Sequence, residues 1–115
     1  MKENIIKEKT YSFSLQIIKV YKKLTREEKE FVLSKQLLRS ATSIGANIEE
    51  ADGGISKKEF IARVQISYKE AKESIYWLRL LHDSDYINNS DFDLLFTQCQ
   101  EIIRILLAIL KSAKQ

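Results

Sequence analysis

Residues 92–110, FDLLFTQCQEIIRILLAIL, decide the fold of this chain. Apolar side chains recur there at alternating spacings of 3 and 4, which is the period of one face of an α-helix: Phe92, Leu95, Cys99, Ile102, Leu106 and Ile109. A second apolar stripe runs beside the first and consists of Phe96, Ile103, Leu107 and Leu110. We predict a helix capped by Ser90, with an apolar face wider than a helix of a lone bundle needs.

The rest of the chain favours helix as well, because it contains no proline and only three glycines. The period of the apolar residues predicts three more helices, over about 4–24, about 34–52 and 57 to about 81. Ser56 and Glu59 form an S-x-x-E pattern, which is typical of the start of a helix and predicts the cap of the third.

Two further patterns mark the ends of these helices. Thr25 and Glu28 form a T-x-x-E pattern, which predicts a short helical turn within a connector over 25–33. Gly53 and Gly54 are expected to end the second helix, one of them in the left-handed conformation that a helix terminus commonly adopts.

Four helices joined by short connections predict an all-α fold, an antiparallel up-down-up-down four-helix bundle. The length, with 44% hydrophobic and 30% charged residues, fits a single domain over 1–115. Besides the wide face of the fourth helix, the first helix has a second apolar row of Tyr11, Ile18 and Tyr21. We interpret this surplus, together with Trp77, as a subunit interface. The alternative interpretation is a wide core with a few exposed leucines.

Basic residues are concentrated in the first third of the chain, although the net charge is only +3. Residues 1–39 contain ten Lys or Arg and five Asp or Glu. The basic residues on the first helix and its exit are Lys2, Lys7, Lys9, Lys19, Lys22, Lys23, Arg26 and Lys29. We predict that the last five of these form a surface for RNA or DNA. The alternative is an ordinary solvated helix face.

Catalytic and metal sites are not predicted. The chain has one histidine, His82, and one cysteine, Cys99, so it lacks the Glu-x-x-His pair of a di-iron bundle and the ligands of a zinc site. An enzyme that uses Glu50, Glu70 or Glu73 would need a hydrated pocket, and we expect structural roles for these carboxylates. No cofactor or small-molecule substrate is expected. The chain also has no apolar run of signal-peptide or membrane-spanning length, which predicts a cytoplasmic protein with no membrane contact.

The second helix combines small residues with a polar stripe. Small side chains over 40–46 predict close packing against another helix. The stripe, at spacings of 3 and 4, consists of Gln36, Arg39, Ser43, Asn47 and Glu50. We expect Arg39 and Asn47 to pair with Glu70 and Glu73 on the third helix, in a network that would set register if it is buried.

Several segments together closely resemble the bacterial 23S rRNA-intervening-sequence proteins: LSKQLLRS at 33–40, SIGANIEEA at 43–51, SKKEF at 56–60, KEA at 69–71 and YWL at 76–78. The resemblance covers nearly the whole chain. It implies an antiparallel four-helix bundle, a homopentameric ring, no known enzymatic activity and no cofactor. The related accessory variability determinant proteins of retroelements engage nucleic acid through basic surfaces. The motif positions carried over are Gln36, Arg39, Ser43, Asn47 and Glu50.

Residues and resemblance together predict a non-enzymatic, homo-oligomeric scaffold or adaptor, a pentamer if it follows the family, that contacts RNA or DNA. The alternative is a protein–protein interaction module without nucleic-acid binding.

Overall fold

The computed structural model describes residues 2–53 and 56–114, which form four helices. These are α1 (Lys2–Arg26), α2 (Leu33–Ala51), α3 (Lys57–Asp83) and α4 (Asn89–Ala113). A helix as long as α1 measures about 37 Å, so all four lie along the long axis of a molecule that measures 45 × 20 × 19 Å. Consecutive helices pack together and α4 packs against α1, which closes the bundle. The predicted all-α four-helix bundle is confirmed.

The core is filled by the predicted apolar seams of all four helices. Its largest fully buried side chains include Phe13, Ile17, Leu24, Leu37, Ile44, Leu78, Leu95 and Leu106. On α4 the second stripe is mostly internal too, because Ile103 and Leu110 are buried within the same bundle while Leu107 is exposed. The expectation that another subunit must cover the wide face of α4 is therefore wrong for most of that face. Because α4 packs against two helices, α1 and α3, the bundle itself needs a wide apolar face on α4.

Two predicted helix starts are wrong because other side chains provide the caps. Thr25 lies inside α1, where its hydroxyl donates to the carbonyl of Tyr21 at 3.0 Å, so no new turn opens there. The cap of α4 is Asn88 and not Ser90, because the Asn88 side chain accepts a hydrogen bond from the N–H of Asp91 at 2.7 Å.

The cap of α3 is confirmed, since the Ser56 hydroxyl accepts from the N–H of Glu59 at 3.2 Å. At the end of α2, Gly53 does not adopt the left-handed conformation, so that expectation is wrong for this residue. Gly54 lies outside the described residues. The last turn of α2 is closed instead by Asp52, whose N–H lies 3.3 Å from the carbonyl oxygens of Ile48 and Glu49.

Small side chains allow α2 to approach both neighbouring helices closely, as predicted. A Cβ atom on Gly45 would lie 3.3 Å from both Cβ and Oγ1 of Thr10 on α1. Toward α3, the Ser40 and Ser74 hydroxyls are hydrogen-bonded at 2.8 Å. The buried Ser67 hydroxyl donates to the carbonyl of Ile44 at 2.9 Å. Each buried hydroxyl thus has a partner, which removes the cost of burying it.

Glu30 organises the connector between α1 and α2. Lys29 before it has a φ of 56°, and the Glu30 N–H donates to the carbonyl of Leu24 at 3.0 Å, which turns the chain. The buried Glu30 carboxylate accepts three backbone N–H groups at the start of α2, from Val32, Leu33 and Ser34 at 3.1, 2.8 and 2.7 Å. Burial acts to raise the pKa of Glu30, but these hydrogen bonds together outweigh it and hold that pKa below 4.5.

We expect Glu30→Ala to lower the free energy of unfolding by about 1–2 kcal/mol, as for the loss of a helix cap. Because the pKa is lowered in the folded state, Glu30 stabilises the fold above its unfolded pKa, and that contribution is lost as pH falls through the folded pKa. Urea unfolding at neutral and acidic pH measures both effects. Glu28→Ala, which removes an exposed carboxylate of the same connector, is the matched control and should change stability by no more than about 0.5 kcal/mol. Equal losses for the two variants would contradict this role.

Candidate nucleic-acid interface

The five predicted nucleic-acid-binding residues are all exposed and lie along one edge of the bundle, which we call the basic edge: Lys19, Lys22, Lys23, Arg26 and Lys29. Spacings of 3 and 4 place Lys19, Lys22 and Arg26 on one face of α1. Lys23 pairs with Asp91 of α4 at 3.5 Å. The other four form no ion pair with a described side chain, so their charge is available to an anion.

The basic residues near the start of α1 do not extend this edge. Lys7 binds Asp52 at 2.9 Å and Glu49 at 3.6 Å, and the hydrogen bond to Asp52 raises the pKa of Lys7. Lys9 pairs with Glu101 at 3.2 Å. The side chain of Lys2 lies outside the described residues. Among the basic residues of α1 and the connector whose side chains are described, those without an ion pair therefore lie in the second half of α1 and in the connector.

The polar stripe of α2 forms a surface network with α3, in which Arg39 is central. Arg39 donates to Gln36 Oε1 at 3.2 Å, to Glu70 Oε2 at 3.1 Å, and to Glu73. Trp77 Nε1 also donates to Glu73, at 2.8 Å. The predicted pairing of Arg39 with the two carboxylates is present in the structure. Arg39 is half exposed, so this network ties the two helices together at the surface.

Asn47 does not pair with those carboxylates, so that expectation is wrong. Its amide donates to the carbonyl and hydroxyl of Ser43 at 2.9 and 3.1 Å, and Arg63 donates to its Oδ1 at 3.4 Å. Arg63 also reaches Glu50 at 3.5 Å. Because α2 and α3 are antiparallel, Asn47, two turns beyond Arg39, faces residues about two turns before Glu70. The sequence offered no reason to select Arg63, which takes that place.

His82 lies at the corner between α3 and α4. Its ring stacks on Phe92 with centroids 4.2 Å apart, Nε2 lies 2.7 Å from Asn89 Oδ1, and Nδ1 lies 3.3 Å from Asp83 Oδ1. The hydrogen bond to Asn89 raises the pKa of His82 above 6.5, and Asp83 and Asp93 act in the same direction against partial desolvation. Two acceptors facing the two ring nitrogens favour the doubly protonated imidazolium.

We expect the fold to lose stability as pH rises from about 5.5 to about 8, because the pKa of His82 is raised in the folded state and the imidazolium is lost in that range. Urea unfolding midpoints at the two pH values measure the loss. His82→Gln should make the midpoint less dependent on pH over this window, whereas Asn88→Ala, at the neighbouring cap, should lower the midpoint at both pH values. An unchanged pH dependence in His82→Gln would contradict the assignment.

Cys99 is buried in the core, and burial raises the pKa of its thiol to about 12. Its Sγ lies 3.4 Å from the carbonyl oxygen of Ala71. A neutral thiol in the core is a packing group, not a nucleophile. Among the described residues, no group of three or more His, Cys, Asp or Glu side chains is placed to hold a metal ion. Within the described residues, no helix is long and apolar enough to cross a membrane.

The fold and its surfaces define a closed all-α bundle in which carboxylates of α2 and α3 form ion pairs and four exposed cations of the basic edge do not. The chain belongs to the 23S rRNA-intervening sequence protein family, whose model matches residues 2–108. This agrees with the resemblance of its motifs. No curated protein matches the chain.

A solved structure closely resembles the bundle. It is the 1.70 Å crystal structure of a protein with unknown function from the S23 ribosomal protein family of Bacteroides thetaiotaomicron VPI-5482. The two chains are 45% identical, the match covers 96% of this chain and 99% of that one, and the TM-score is 0.94. These similarities indicate fold and family, and neither names a catalytic activity.

Proposed function

We propose that the protein is a non-enzymatic, homo-oligomeric scaffold or adaptor of the cytoplasm, a pentameric ring as the family resemblance implies, which binds RNA through the basic edge. The observation that carries this proposal is the set of four exposed, unpaired cations Lys19, Lys22, Arg26 and Lys29 on one side of the bundle.

The distribution of charge supports an anionic polymer as the partner. Residues 19–35 contain six Lys or Arg and three Glu, so the net charge of this short segment equals the +3 of the whole chain. One such edge gives few phosphate contacts, but a ring repeats it in every subunit. Each contact between a cation and a phosphate adds about 0.7–0.9 to the slope of log Kd against log salt. The few phosphate contacts that one basic edge makes thus add up in an oligomer to enough contacts for RNA binding.

The first half of α1 supports self-association. Ile5, Tyr11 and Leu15 are exposed there, on the same side of the helix as the basic edge. Tyr11 also lines a groove of about 220 Å³ between α1 and α2, whose floor consists of the small residues Ser14, Thr42, Gly45 and Ala46. A large side chain from a second copy of this chain would fit into this groove. Covering three large apolar side chains is favourable by roughly 25 cal/mol per Å² of apolar area.

Solution mass tests the two halves of the proposal in one experiment. Light scattering at low and high salt, with and without a structured ribosomal RNA fragment, should give several times the 13.4 kDa of one chain, and should show added RNA mass at low salt only. The variant Lys19→Glu/Lys22→Glu/Arg26→Glu should keep the protein mass and lose the RNA. The matched control, Lys58→Glu/Lys69→Glu/Lys72→Glu on α3, makes the same charge change and should keep both.

Variants of Leu15 test self-association. Leu15→Glu places a charge in the apolar part of α1 and should lower the mass toward one chain, while Leu15→Met keeps the apolar contact and should leave it unchanged. A monomeric wild-type protein would overturn the oligomer. An oligomer that ignores RNA at low salt would overturn RNA binding and favour a protein–protein interaction module.

A further inference from the structure

Two large apolar side chains stand exposed side by side in the connector between α1 and α2. Phe31 is 58% exposed and Val32 is 72% exposed, although neither lies on an apolar helix face. We call Phe31 and Val32 the apolar pair. Sequence reasoning missed it, because it placed both residues in a connector, with a short helical turn through Phe31, and did not ask whether they were exposed.

The exposure of the apolar pair is imposed by a fixed backbone. Glu30 immediately before it is buried and accepts the N–H groups of Val32, Leu33 and Ser34. The Ser34 hydroxyl in turn donates to the carbonyl of Glu30 at 2.7 Å. Four hydrogen bonds over five residues hold the connector while its two apolar side chains face the solvent. A surface whose geometry is already set loses little conformational entropy when it binds a ligand.

Exposed cations precede and follow the apolar pair in the sequence. Arg26 and Lys29 of the basic edge precede it, and Lys35, in the first turn of α2, follows it. All three are exposed, and none forms an ion pair with a described side chain. An aromatic ring between cations fits a ligand that carries both flat apolar rings and negative charge. An unpaired nucleotide in a strand is such a ligand.

Carboxylates at the same end of the bundle argue against a membrane as the partner of the apolar pair. Asp83, Asp85 and Asp93 are exposed at the corner between α3 and α4, which lies at the same end of the bundle as the connector. A flat anionic bilayer covering this end would meet these carboxylates as well as the cations. A single strand needs to follow only the side formed by α1 and the start of α2.

We infer that the basic edge binds single-stranded RNA in preference to duplex, with one unpaired base stacked on Phe31 and the flanking phosphates on Arg26, Lys29 and Lys35. This inference rests on the proposed function and specifies the class of RNA. In duplex RNA the bases are stacked inside the helix, so Phe31 has nothing to stack on, whereas the phosphates remain accessible.

Fluorescence anisotropy tests the stacking with a short labelled RNA, free and annealed to its complement. The single strand should bind more tightly to the wild-type protein. Phe31→Leu keeps an apolar side chain but lacks a flat ring, and should weaken single-strand binding about 5- to 100-fold with little effect on duplex binding. Phe31→Trp, which has a flat ring again, should bind the single strand about as tightly as the wild-type protein does. Phe31→Leu should leave the salt dependence unchanged, whereas Lys29→Gln should reduce the slope by about 1.

The outcomes separate this inference from the proposed function. If wild-type protein binds both RNAs equally and Phe31→Leu has no effect, the stacking is overturned while RNA binding stands. If wild-type protein binds neither RNA at low salt, both are overturned. A fall in solution mass in Phe31→Leu would reassign the apolar pair to a contact between subunits, and binding to anionic lipid vesicles that depends on Phe31 would reassign it to a membrane. Either result overturns the inference.

Discussion

Three backbone N–H groups converge on the carboxylate of Glu30, and the course of the chain between the first two helices depends on that contact. The first N–H groups of any helix lack partners within the helix. In α2 the residue at the N-cap position is Val32, whose side chain cannot supply one. The carboxylate satisfies them from the connector instead, so α2 begins where the chain reverses. The basic edge and the apolar pair lie on either side of Glu30 and keep a fixed relation to each other.

The seam between α2 and α3 sets the register of the bundle. Its inside includes small and hydroxyl side chains, such as Ser40 and Ser74, whose hydrogen bond would break if the two helices slid along each other. The outside restricts such movement, because Arg39 and Arg63 each reach acceptors on the opposite helix at two separate levels. A shift of one turn would break both sets of contacts together. Surface ion pairs add only about 0–1 kcal/mol each, so we ascribe register to them and stability to the core.

Helix number, order and core faces were predictable because apolar period depends on sequence alone. The cap at Ser56 was predictable too, but the starts predicted at Thr25 and Ser90 were wrong, because a short polar side chain serves either a helix interior or a helix start. The width of the α4 face was misinterpreted for a related reason, because a sequence shows how much surface is apolar but not how many neighbours share it. The residues of the basic edge were predicted one by one, but which of them form ion pairs depends on the carboxylates of other helices that come near, as Asp91 does to Lys23, and only the fold decides that.

Trp77 is the one tryptophan of the chain, and its position gives the protein an internal optical reporter. The indole is partly buried, lies edge-on to Tyr76 and donates to Glu73 beside Arg39. Its emission therefore responds to the docking of α2 on α3. The connector and the basic edge contain no indole, so intrinsic fluorescence follows the integrity of the bundle separately from events at its charged surface.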